Sequence, residues 1–168
     1  TFSGQAVYRV YRQYKATGTT QMLTINSELQ RFIDAQDGRI VGVNSYNDAI
    51  KELNNGQKQT HWMWYVLPQL RGLGSSERAT YYGLDGIQEA RAYLENERLR
   101  QRLENIIKVT LAWQNDDPVA LLGEVDAIKF QASLTIFIKA SDIKGLYQQA
   151  LDKYFDGQQH QATLELLE

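Results

Sequence analysis

Apolar residues return at helical spacing along almost the whole chain. Val7, Val10, Tyr11 and Tyr14 share one face, between Ser3 as a candidate N-cap and Gly18 as a candidate terminator. Leu29, Phe32, Ile33 and Gln36 form the stripe of a second helix, which Asn26 or Ser27 can cap. Gly38 to Asn44 reads as a loop, although residues 39–43 also fit a short strand. Ser45 is placed to cap a helix with the stripe Tyr46, Ala49, Ile50 and Leu53, ended by Asn54-Asn55-Gly56. Thr60 to Leu67 fits either two helical turns or a buried strand, and Pro68 stops either one. Gly72 to Ser75 is a turn, after which Ser75 or Ser76 caps a new helix.

Helical stripes resume at Ala90, Tyr93 and Leu94, and again at Leu99, Leu103, Ile106, Ile107 and Leu111. Asp116-Asp117-Pro118 marks a break, and helices are predicted over 126–138, 143–155 and 161–167. The pattern therefore predicts an all-α, compact single domain of about seven to nine helices, with at most a short strand near 39–43. Residues 1–25 are expected to form an extension of one helix, and 26–168 the main helical domain.

Composition narrows the function classes. The 168 residues carry a net charge of −2, so no basic field draws the whole protein to nucleic acid. The absence of cysteine removes disulfides, thiolate nucleophiles and thiolate metal sites, and fits a reducing compartment. Two His far apart in sequence make a zinc site improbable, and no metal or cofactor is expected. No apolar run approaches a membrane span, which points to a soluble, cytoplasmic protein with no membrane partner.

One segment is unlike the rest. Lys58 to Ser75 holds two of the three Trp, one of the two His, one of the two Met and one of the two Pro. Trp62, Trp64 and Tyr65 offer large rings, any one of which can serve as a platform for a planar ligand, a contact worth about 1–3 kcal/mol per base. At least two of the three rings are nevertheless expected in the core, because large aromatics are mostly buried. Arg71, Gly72, Gly74 and Ser75 suggest an anion-binding turn before a capped helix, with Arg71 and Arg78 closing on it and Lys58 upstream. A plain turn explains the same residues, since neither the Walker spacing nor G-x-G-x-x-G is present. His61 is a candidate general acid or base, or a structural hydrogen bonder at the start of the aromatic element. His160, in a polar stretch, reads as a solvated surface residue.

A second polar set lies on the predicted 126–138 helix. Asp126, Lys129 and Ser133 sit at i, i+3 and i+7 on one face, and can present a carboxylate, an ammonium and a hydroxyl to a pocket. The plainer reading is a helix cap with a surface ion pair. Together the two sets define a candidate small-molecule site. His61 and Asp126 are its proton-transfer groups, and Lys58, Trp62, Trp64, Arg71, Gly72, Gly74, Ser75, Lys129 and Ser133 its ligand contacts. The alternative is a non-catalytic interaction module, with the aromatic run as core and Tyr8, Tyr11 and Tyr14 as a partner surface.

The ordered set Leu29-Gln30-Arg31-Phe32, His61-Trp62-Met63-Trp64-Tyr65, Pro68-Gln69, Gly72-Leu73-Gly74-Ser75-Ser76 and Glu89-Ala90 continues into Gly123, Asp126, Lys129 and Ser133, and ends with Tyr154-Phe155-Asp156-Gly157. It resembles a mainly helical, largely bacterial family of unknown function, to which the label calpastatin is sometimes attached. The likeness runs from about Leu29 to the C-terminus and implies a compact helical domain, with no established reaction, cofactor or partner. Arg100 and Val125 depart from the family pattern, where Gly and Pro are usual. The helical pattern is also similar, more faintly, to families that cleave N-glycosidic bonds of nucleotide-like substrates.

Overall fold

The computed structural model describes residues 28–168. The helix expected around Val7 to Tyr14, the caps at Asn26 or Ser27, and the Tyr8–Tyr14 surface lie outside the described residues. Within them the fold is all-α, with ten helices rather than seven to nine and no strand. In order they are α1 (Gln30–Gln36), α2 (Tyr46–Asn54), α3 (Met63–Val66), α4 (Glu77–Tyr81), α5 (Ile87–Glu95), α6 (Glu97–Leu111), α7 (Pro118–Leu122), α8 (Glu124–Ala140), α9 (Gly145–Phe155) and α10 (Gln161–Leu167).

The organising element is α8, which packs against α3, α5, α7, α9 and α10. Every residue from Ala132 to Ile138 is buried, so this half of α8 is enclosed on all sides. A helix surrounded by neighbours carries apolar residues all round instead of in one stripe. Around it, α6 packs on α2, α5 and α9, presenting the buried stripe Leu99, Leu103, Ile106 and Ile107.

Helix starts follow from local chemistry. Ser45 and Asp48 form a reciprocal capping box at α2, with Ser45 Oγ accepting from the Asp48 amide and Asp48 Oδ2 accepting from the Ser45 amide. Asn96 accepts from the Leu99 amide at α6. The 39–43 segment is a turn rather than a strand. Among the described residues no segment pairs with it, and Val41 is 99% exposed. A lone extended segment leaves its backbone groups to water. The Asp116–Pro118 break also starts a helix. Asp117 Oδ1 accepts from the Val119 amide, and Pro118, whose fixed φ suits a first turn, opens α7.

His160 is not a free surface residue. It is the N-cap of α10, with Nδ1 accepting from the Thr163 amide at 3.3 Å while its own amide donates to Thr135 Oγ1 at 2.8 Å. Burial pushes its pKa below the ordinary histidine range. An imidazolium has no lone pair on Nδ1, so protonation removes the cap. The folded pKa lies below the unfolded one, so this stabilisation is present above about pH 6.5 and is lost as pH falls through the folded pKa. The Thr163 amide resonance should report this loss on acidification, and His160→Asn, which keeps a capping acceptor, should abolish the pH dependence. An unchanged titration in His160→Asn would count against the assignment.

Candidate functional site

The backbone brings two distant stretches together at Lys58. Its amide donates to the Leu121 carbonyl of α7 at 2.8 Å. Because α7 runs through Gly123 straight into α8, this bond sets Lys58 beside the first turns of α8. The Lys58 side chain is 4% exposed, and its ammonium lies 2.6 Å from Asp126 Oδ2. It also donates to the Thr60 carbonyl and sits 5.1 Å from the centre of the Trp62 ring. Lys58 is thus fully occupied within the protein.

Asp126 is not the helix cap. Gly123 occupies that position, and Asp126 lies in the first turn of α8. Its second oxygen meets Lys129 Nζ at 3.5 Å. Lys129 in turn lies 4.6 Å from the Trp64 ring centre, and the Arg78 guanidinium lies 5.3 Å from the same ring. His61 stands 6.2 Å from Trp64, ring to ring, with its side chain exposed. The ring of His61 makes no hydrogen bond among the described residues, while its carbonyl accepts from the Tyr65 hydroxyl at 3.2 Å.

Of the three rings in the run, Trp62 and Tyr65 are core, at 0% and 1% exposure. Trp62 Nε1 donates to Glu52 Oε1 at 3.1 Å. That carboxylate also accepts from the Gln59 and Thr60 amides and the Thr60 hydroxyl. Burial pushes the Glu52 pKa up, but these donors outweigh it and hold the group below its ordinary range. Glu52 therefore shapes the approach to α3, a role that its place on α2 gave no sign of. Trp64 alone of the three is half-buried.

The Gly-Leu-Gly turn leads into the short helix α4. Ser76, not Ser75, caps α4 through the Ala79 amide, and α4 has only five residues. Gly72 adopts φ +104°, which disfavours a side chain. A Cβ on Gly74 would come within 2.8 Å of Ala79 Cβ. Leu70 and Leu84 bridge at the base of this excursion, with Arg71 N donating to Leu84 O and Leu84 N to Gln69 O. Arg71 fastens the same base through the Thr80 carbonyl and Asp85. The turn thus carries α4, and with it Arg78, over Trp64.

Of the sequence candidates, Lys58, His61, Trp62, Trp64, Asp126 and Lys129 converge, whereas Arg71, Gly72, Gly74 and Ser75 build the support for Arg78. Ser133 occupies the same face of α8 as Asp126 and Lys129, and its Oγ is buried without a hydrogen-bond partner among the described residues. A cleft of about 220 Å³ lies elsewhere, between α6 and the α8–α9 connection, lined by Leu94, Arg100, Glu104, Lys108, Leu146 and Tyr147 among others. Two of its three charged residues face one another, and the third, Lys108, is exposed. Arg100 donates to the Leu94 carbonyl and faces Glu104 at 3.9 Å. Two cations from separate helices meet instead at Trp64.

Among the described residues no three His, Asp or Glu group as metal ligands, and no helix is long and apolar enough to cross a membrane. No curated protein matches the chain. A solved structure, that of the conserved hypothetical protein Rv1873 from Mycobacterium tuberculosis, is similar at 36% identity and TM-score 0.78, over 83% of this chain and 96% of that one. The family model described as protein of unknown function (DUF1810) matches residues 26–167. The chain belongs to that family.

Proposed function

We propose that this domain binds a small anionic ligand at the surface formed by His61, Trp64, Arg78 and Lys129, with the Lys58–Asp126 pair as its anchor. The observation that carries this reading is the meeting of two cations from separate helices on one indole ring. Arg78 is exposed and engages no carboxylate among the described residues. A guanidinium held over an aromatic ring keeps its donor edge open and loses less side-chain entropy when an oxyanion docks.

Lys58 and Asp126, already bound to one another, serve as positioning residues. His61 is then the group with a free ring nitrogen for proton transfer, should the ligand carry a cleavable bond such as an N-glycosidic one. The burial of Trp62 and Tyr65 supports the core half of the alternative, a protein-interaction module. It does not account for the cations around Trp64.

A thermal-shift panel of inorganic phosphate, diphosphate, sugar phosphates and nucleotides tests the reading. A ligand at 100 times its Kd stabilises by about 2.7 kcal/mol. Lys129→Ala should reduce that shift. No stabilisation by any member of the panel would overturn the proposal.

A further inference from the structure

We infer that the ligand is recognised through a dianionic phosphate monoester gripped between Arg78 and Lys129, and that no aromatic part of it stacks on Trp64. This rests on the anion-binding reading above and narrows it to a ligand class. Trp64 looks from its sequence neighbourhood like a stacking platform. In the fold, its ring already has an ammonium 4.6 Å and a guanidinium 5.3 Å from its centre. Both distances fall within cation–π range, where each contact is worth about 0.5–2 kcal/mol. A nucleobase stacked on a face that a cation covers gains about 1–3 kcal/mol but displaces that cation. The exchange returns little. Trp64 is better described as the scaffold that holds two cations in place.

The charge balance selects the ligand. Asp126 lies 2.6 Å from Lys58 and 3.5 Å from Lys129, while Glu52 keeps its charge among the neutral donors of Thr60, Gln59 and Trp62. Against the single charge of Asp126 stand Lys58, Lys129 and Arg78, and the last two meet on one ring. A carboxylate offers one negative charge, whereas a phosphate monoester offers about 1.5 to 2 near neutral pH, together with three acceptor oxygens. Arg78 can take two of those oxygens through its planar fork and Lys129 the third as a point charge. The exposed ring of His61, 6.2 Å from Trp64, can donate a hydrogen bond to a phosphate oxygen or to the esterified group.

Calorimetric titration with ribose 5-phosphate, AMP and adenosine separates the outcomes. The inference expects ribose 5-phosphate and AMP to bind within about threefold of one another and adenosine not to bind. Arg78→Ala should weaken both phosphates about tenfold or more, the loss of a charge-assisted hydrogen bond. Arg78 is exposed, so that variant is expected to fold, and circular dichroism checks it. Trp64→Leu should weaken both phosphates equally, because it disperses the cations. AMP binding about thirtyfold tighter than ribose 5-phosphate, or a selective loss of AMP in Trp64→Leu, would overturn the inference and leave the anion-binding reading standing. Failure of ribose 5-phosphate and AMP to bind would overturn the inference, and the wider thermal-shift panel then decides the anion-binding reading.

Discussion

Replacing Glu89 by alanine is expected to lower the free energy of unfolding by about 3–5 kcal/mol, the cost of leaving a buried charge without its partner. Glu89 Oε1 lies 2.7 Å from Arg31 Nη2, and the two side chains are 1% and 3% exposed. Burial works against the Arg31 charge, but Glu89 more than compensates and holds the guanidinium firmly protonated. The pair also serves the backbone around it. Arg31 donates to the carbonyls of Glu28, Tyr81 and Gly83 and stacks on Phe32 at 4.2 Å, while Glu89 accepts from the Asp85 amide. It therefore ties α1 and α5 to the end of the excursion that carries Arg78. A buried ion pair can often be replaced by apolar residues at little cost. Here the double variant Arg31→Met/Glu89→Leu should recover only part of the loss, because three carbonyls lose their donor. Urea unfolding of the two single variants and the double gives the coupling energy directly. A cost below about 1 kcal/mol for Glu89→Ala would show that the pair contributes little.

This pair also shows what a sequence leaves unread. Arg31 and Glu89 are 58 positions apart, and neither names its partner. By contrast, the stripes of α2 and α6 and the cap at Ser45 were legible because their physics is local: a 3.6-residue period, or a side chain reaching a backbone amide three positions on. Local chemistry with two uses misled. Asp-Pro ends one element and starts another, so α7 read only as a break. His160 is polar and flanked by Gln, so its cap read as solvent exposure. The site was half legible. Its rare residues stood out by type, and Asp126 and Lys129 by spacing. The meeting of Lys58 with Asp126 depends on the Leu121 carbonyl, a tertiary contact with no sequence signature. Arg78 was drawn toward its neighbours in the Gly-rich turn, although that turn exists to carry it to Trp64.

The Lys58–Asp126 pair should respond unequally to loss of either partner. Asp126→Ala is expected to cost about 3 kcal/mol, and Lys58→Met less than half as much. The two groups sit in different surroundings. The Lys58 side chain is 4% exposed, and without Asp126 its ammonium keeps only the Thr60 carbonyl and the face of Trp62. Asp126 is 18% exposed and, without Lys58, still has Lys129 at 3.5 Å and access to water. Methionine at position 58 also keeps an apolar stem against Trp62 and leaves no buried charge. Equal costs in urea unfolding would mean that the pair, and not the burial of Lys58, sets the energy. The same variants distinguish positioning from contact with ligand. If Asp126 only anchors the cluster, Asp126→Ala lowers stability while its affinity for ribose 5-phosphate holds or rises, since Lys129 no longer shares its charge with a carboxylate. A fall in affinity in the folded variant would show that Asp126 also holds Lys129 where it meets the ligand.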